Sequence, residues 1–251
     1  MDPDEVVALT PAEQSDAAGR RVVEDVVRLR RTLEGVLSRL TDAEVAAPSR
    51  LPGWTRGHVL AHLAGVGSAA ARQLEHARAR RLVDFYDGGR PARDAAIEAG
   101  AGASAEVHAR DVLAAARRVE SALVALGPED WDAPTRYRDQ PATAVAHAWW
   151  RELAIHLVDV DLGVGQDVWS PALLDHLVEF LAPRVPHGVL VALVPGGGAS
   201  RWELGDGALV RVHARQAADL VAWLAGREPS GPVTAERDGE RVGLPELGPW
   251  P

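Results

Sequence analysis

Glu152 and His156 stand four residues apart in the string WWRELAIHLVDVDLG, and His62 lies far upstream in LPGWTRGHVLAHLAG. If both strings are helical, the i, i+4 spacing puts the carboxylate and the imidazole on one face, one turn apart. Such a pair grips a divalent cation, zinc above all, at two points. A third ligand from another helix leaves a fourth position for water or substrate, which is how zinc is held when it is catalytic. His62 is the candidate for that third ligand. By spacing alone, a carboxylate and an imidazole four apart on a helix are usually a solvated polar couple. Their setting favours the metal: Trp149, Trp150, Leu153, Ile155, Leu157 and Val158 make the segment strongly apolar, and polar groups buried there need a partner.

Other titratable residues compete for the role. His58 and His62 also stand at i, i+4 and form a rival pair, although His58 falls just after a helix start and reads more plainly as a surface or capping residue. Asp159 follows His156 by three residues on the same face. It can orient His156, ligate directly, or make an ordinary hydrogen bond. His147 is turned off the Glu152 face and reads as a surface or core-edge histidine. His76, His108, His176, His187 and His213 have no partner at ligand spacing.

Composition narrows the chemistry further. There is no cysteine, so disulfides, thiolate ligands and a protein thiol nucleophile are excluded. Any thiol chemistry must use a thiol from outside. All 27 basic residues are arginine, which removes lysine Schiff-base and P-loop chemistry and leaves the planar guanidinium to bind carboxylates. A net charge of −9 argues against a nucleic-acid partner. No uninterrupted apolar run of about 18 residues marks a membrane span, and the acidic N-terminus MDPDEVVALT lacks a signal pattern. The expectation is a cytoplasmic protein, and the absence of a heptad seam is compatible with a monomer.

Helices must position these residues. Apolar residues from Val22 to Leu40 recur at three- and four-residue spacing, so residues 11–43 read as one long amphipathic helix. A loop over 47–53 precedes a second helix, capped by Thr55 and running to about residue 80. A turn at 87–91 leads to helices over 92–99 and 104–126. A break at 127–134 precedes a last long helix over 143–162. Long helices with short polar connections make an up-and-down bundle. After Gly163 the periods shorten: a helix over 171–185, strands over 189–194, 201–204 and 209–213, a helix over 216–225 and a further strand at 233–237. The fold class is therefore α followed by α+β, with a helical bundle over residues 1–165 and a smaller α+β domain over 166–251. The run PGGGAS at 195–200 is a turn, since it has neither G-x-G-x-x-G nor lysine.

The strings GWTRGHVLAHLAG (53–65) and RELAIHLVDVDLG (151–163), in that order, resemble the mycothiol-dependent maleylpyruvate isomerases of the DinB-like superfamily of metal-binding four-helix bundles. The ending AADLVAWLAGR (217–227) resembles that family's C-terminal α+β domain. The resemblance implies metal ligation by His62, Glu152 and His156. It also implies two arginines involved in activity, on Arg93 in GRPARDAAIEAG and on Arg227 in the terminal LAGR. Ordinary readings stand beside these: Arg93 as a surface residue at a helix start, and Arg227 compensating a helix C-terminus.

What the resemblance implies chemically is a zinc site with mycothiol as the thiol cofactor. The thiolate adds to the double bond of a conjugated keto diacid, the new single bond rotates, and the thiol leaves, converting maleylpyruvate to fumarylpyruvate. Arg93 and Arg227 would hold the substrate carboxylates from a site where the domains meet. Two other readings remain open on the same residues. One is a mycothiol S-transferase that stops after addition to another electrophile. The other is a non-catalytic, metal-stabilised binding protein whose second domain carries an apolar ligand near Val189, Leu190, Val191, Leu193 and Val194. The eight tryptophans would also suit a partner surface.

Overall fold

The computed structural model describes the backbone over residues 11–251 and side chains from residue 19 onward. The expectation of no signal pattern in the first ten residues falls outside the described residues. The chain divides into two compact units, one ending at Gly163 and one running from Val164 to Pro251.

The first unit is helical, as its periodicity predicts. Its long helices are α1 (Pro11–Leu37), α3 (Arg56–Arg78), α5 (Ala105–Val124) and α6 (Ala142–Asp159), with the shorter α2 (Asp42–Ala46) and α4 (Gly89–Gly100) between them. Helices α1 and α3 each pack against both α5 and α6, which makes a four-helix bundle. Val26, Leu29 and Leu33 of α1, Leu60, Leu63 and Leu74 of α3, Val112 and Val119 of α5, and Trp149, Leu153 and Leu157 of α6 are shut off from solvent. The first helix ends at Leu37, short of the expected residue 43. The reason is local: Thr41 opens α2 with a capping box, its hydroxyl accepting from the Glu44 N–H at 3.3 Å while the Glu44 carboxylate accepts from the Thr41 N–H at 2.8 Å. Helix α4 starts at Gly89, earlier than expected, because Gly88 takes up a left-handed φ of 77° just before it.

Two glycines of α3 set how closely its neighbours approach. A Cβ on Gly57 would lie 2.0 Å from the carbonyl oxygen of Ala101, at the end of α4. A Cβ on Gly67 would lie 3.0 Å from the six-membered ring of Trp149 on α6. The first contact seats α4 on the start of α3, and the second lets α6 close over α3.

The second unit begins with α7 (Pro171–Leu181) and builds a five-stranded sheet from β1 (Val189–Pro195), β2 (Trp202–Gly205), β3 (Ala208–Ala214), β4 (Val233–Arg237) and β5 (Glu240–Val242), with α8 (Ala217–Leu224) between β3 and β4. The order is β2-β1-β3-β4-β5, parallel only between β1 and β3. Strand β5, three residues with two charges, gives no strand pattern in the sequence. Helix α8 covers β1 and β3, burying Val191, Leu193, Val212, Leu220 and Val221. The apolar residues of β1 are thus largely sheet core. An open cleft of about 650 Å³ lies elsewhere in this unit, with Val185, Val189, Val210, Val242, His187 and Arg237 on its walls. No described helix is long and apolar enough to cross a membrane.

Candidate metal centre

His62, Glu152 and His156 come together in the first unit. One ligand atom from each lies within 4.8 Å of the others, and this is the group of that kind found among the described residues. Nε2 of His62 is 2.8 Å from Oε2 of Glu152, and Nε2 of His156 is 3.1 Å from the same oxygen. The two rings meet edge to face with centroids 4.6 Å apart. Helix α6 supplies Glu152 and His156 from consecutive turns of one face. Helix α3 supplies His62, one turn after a capping box in which the Thr55 hydroxyl accepts from the His58 N–H.

Each imidazole has a second neighbour that sets its state. The guanidinium of Arg93, on α4, lies with Nη2 3.0 Å from Nδ1 of His62 and donates from Nη1 to Oδ1 of Asp94 at 2.7 Å. Arginine can only donate, so in this arrangement Nδ1 of His62 accepts and Nε2 carries the proton toward Glu152. On the other side, Oδ2 of Asp159 is 2.9 Å from Nδ1 of His156, in a contact not aligned as a linear hydrogen bond.

The titration behaviour follows from these contacts. For Glu152, burial alone would raise the pKa, but hydrogen bonds and charge from His156 and His62 hold it far below the usual carboxylate range. For His156, burial favours the neutral ring, yet Asp159 and Glu152 outweigh it and push the pKa up to about 9. His62 is lowered, chiefly by burial, with Glu152 opposing. A ligating imidazole must be neutral, so uptake of a cation and loss of the His156 proton are coupled.

The donor set fits zinc: two imidazole nitrogens and one carboxylate oxygen, with a buried carboxylate behind one of the imidazoles. The side chains of His62, His156 and Asp159 are 5%, 12% and 1% exposed, while that of Glu152 is 34% exposed.

The remaining candidates sort themselves by contact. His58 is a capping residue: its Nδ1 accepts from the Thr55 backbone N–H at 3.2 Å and its ring stacks on Trp54. Asp159 faces His156 from behind and stands outside the three-residue group. His147 is half-buried and stands outside that group, and desolvation together with the charge of Arg151 lowers its pKa to about 4. Arg93 sits against His62. Arg227 lies in the second unit just after α8, donating to the Ala225 carbonyl at 3.1 Å with its guanidinium 5.5 Å from the centre of the Trp250 ring. The contact with the helix-end carbonyl is the one expected of a cation compensating a C-terminus.

Sequence reasoning passed over three residues of the bundle unit. Trp54 lies edge-on to His62 at 5.9 Å. Gln73, almost fully buried on α3, ties two loops together. Tyr86, in one of those loops, packs edge to face on Phe85 at 4.7 Å, and burial pushes its pKa up to about 12. The usable signal is rarity, since the chain has only two tyrosines.

Comparison with known proteins bears on the family and the fold. The family model for the mycothiol maleylpyruvate isomerase N-terminal domain matches residues 26–161, which span α3 through α6. Two solved structures share the fold. One is a crystal structure of a mycothiol-dependent maleylpyruvate isomerase, with a TM-score of 0.75 and 22% identity over 96% of this chain and 98% of that one. The other is a histidine-to-alanine mutant of a mycothiol-dependent maleylpyruvate isomerase, with a TM-score of 0.74, 22% identity and the same coverage. No curated protein matches the chain.

Proposed function

The chain belongs to the mycothiol maleylpyruvate isomerase family, and from that premise we propose that it is a zinc- and mycothiol-dependent enzyme. Its reaction is the cis–trans isomerisation of a conjugated keto diacid of the maleylpyruvate type. The reading rests above all on the convergence of His62, Glu152 and His156 around one point that Glu152 leaves open to solvent. His62, Glu152 and His156 are the proposed zinc ligands. Bound there, zinc lowers the pKa of an incoming thiol so that it reacts as the thiolate near neutral pH. The chain has no cysteine of its own, which accords with a borrowed nucleophile.

The protein's own part is orientation and charge. Asp159 holds the His156 ring from behind. Arg93 lies against His62 at 3.0 Å, so its planar guanidinium would stand beside a bound cation, placed to hold a substrate carboxylate.

The test combines the zinc-loaded protein, mycothiol and maleylpyruvate, and follows both isomer formation and free thiol. Catalysed isomerisation that requires thiol and consumes none is the expected result. Net thiol loss with adduct formation would instead make the protein an S-transferase, and no turnover of either kind would end the enzymatic reading for this substrate.

Asp159 gives a separate check on the metal assignment. Asp159→Ala removes the carboxylate behind His156 and is expected to weaken zinc affinity by about 10–100-fold. Competition with a chromogenic chelator reads this directly. Unchanged affinity would show that Asp159 serves only the local packing.

A further inference from the structure

The loop between α2 and α3, residues 47–55, is tied to both helices that carry the metal ligands. It leads into α3 through the Thr55 cap, and the Arg56 N–H donates back to the Ala47 carbonyl at 2.9 Å. On its other side the Arg50 N–H donates to the backbone carbonyl of Asp159, at the end of α6, at 2.9 Å. The Asp161 carboxylate lies 3.1 Å from the Arg50 side chain and 3.5 Å from that of Arg56. Such half-exposed ion pairs contribute little by themselves, so the backbone bonds do most of the fixing. Within the loop the Trp54 carbonyl accepts from the N–H and the hydroxyl of Ser49, at 3.0 and 2.8 Å, and the Trp54 N–H donates to the Leu51 carbonyl at 3.1 Å. The backbone at Trp54 has both its donor and its acceptor engaged.

What the loop holds in place is a half-buried indole. Its ring stacks on His58 with centroids 6.0 Å apart and lies edge-on to the candidate ligand His62 at 5.9 Å. The two tryptophans of α6 make a contrast. Trp149 is fully buried, and Trp150 donates its N–H to Asp25 at 2.7 Å. The indole N–H of Trp54 has no hydrogen-bond partner among the described residues, and it is not one of the unpartnered nitrogens sealed from solvent. An indole N–H can only donate. Standing open beside a metal ligand, it suits an acceptor that arrives with a bound molecule.

A keto diacid brings two carboxylates. Arg93, 3.0 Å from Nδ1 of His62, is the cation placed for one of them. We propose that Trp54 determines specificity for the second carboxylate, donating its indole N–H to that group while its ring walls the metal centre. This rests on the isomerase reading and names how the same site tells a diacid from a monoacid. The contact is made to a group that does not react, so it holds substrate and transition state alike and acts on KM, not on kcat.

The experiment uses the full-length, zinc-loaded protein without thiol, so that nothing turns over, and two acids with the same cis alkene. Maleate has a carboxylate at each end; isocrotonate has a methyl group in place of one. Protein labelled with nitrogen-15 in tryptophan gives eight indole N–H signals, one per tryptophan. Trp54→Phe and Trp54→Tyr each identify the Trp54 signal by its loss. That signal should move downfield with maleate and stay in place with isocrotonate. By calorimetry, Trp54→Phe should bind maleate about tenfold more weakly than wild type, and isocrotonate within about twofold of it. With thiol and maleylpyruvate, the variant should keep its zinc and raise KM about tenfold, with kcat changed by less than about threefold. A Trp54 signal unmoved by maleate, or moved equally by both acids, would overturn the proposal. So would equal weakening of both acids in Trp54→Phe, or a wild type that binds neither. If the wild type shows the maleate shift and prefers the diacid through Trp54 but does not isomerise maleylpyruvate, the reaction assignment fails while the role of Trp54 is supported.

Discussion

His62→Ala should yield a folded protein that no longer retains zinc. The substitution removes one of three ligand atoms that lie within 4.8 Å of each other. Altering a residue that merely supports a ligand costs about 10–100-fold in metal affinity, so loss of a ligand itself should cost more than about 100-fold. The fold has little reason to follow. His62 is the seventh residue of α3, about two turns in, and the apolar stripe of that helix, Leu60, Leu63 and Leu74, is untouched. Glu152 keeps His156 at 3.1 Å, and Arg93 keeps Asp94. Activity should fall with the metal: a catalytic cation contributes several kcal/mol of charge stabilisation, which is roughly a thousandfold or more in rate. Elemental analysis and thermal melting of the same sample separate the two effects. One equivalent of zinc retained by His62→Ala would remove the metal assignment and the mechanism with it.

Trp149→Ala should have the largest effect on stability. Trp149 is fully buried on α6 and precedes Glu152 and His156 by three and seven residues, so all three share one side of the helix. Its six-membered ring lies where Gly67 leaves room on α3. Truncation of a buried tryptophan costs about 3–5 kcal/mol, a large share of the roughly 5–15 kcal/mol that holds a domain together. At about 2–4 °C per kcal/mol for a unit of this size, the melting temperature should drop by roughly 6–20 °C. Because the ring spaces α3 from α6, zinc affinity should weaken as well. Trp149→Phe keeps most of the packing and gives up an indole N–H that has no hydrogen-bond partner among the described residues, so it should cost much less. Equal losses from Phe and Ala would place the importance of Trp149 in its N–H and not in its bulk. A melting temperature unchanged in Trp149→Ala would contradict the packing account.

The centre was legible in the sequence to the extent that its signal is local. Glu152 and His156 share a helix, so their spacing alone aligns them, and the Thr55 cap was visible as a hydroxyl before an apolar run. Element boundaries were less legible where a cap competes with propensity, as at Thr41 and Gly88. Tyr86 and Gln73 were not legible. Their meaning depends on which loops meet, and loop partners separated by some sixty residues leave no period to read.

Residue types and helical spacing by themselves determined the kind of chemistry open to this protein: oxygen and nitrogen ligands, no thiol of its own, arginine for carboxylates, and a bundle followed by an α+β unit. Only the tertiary structure decided that His62 and not His58 faces Glu152, that Asp159 stands behind His156, and that Arg93 reaches His62. The physical reason is that direction along a helix is set by backbone geometry. Proximity between helices is set by packing, here by what fits against Gly57 and Gly67.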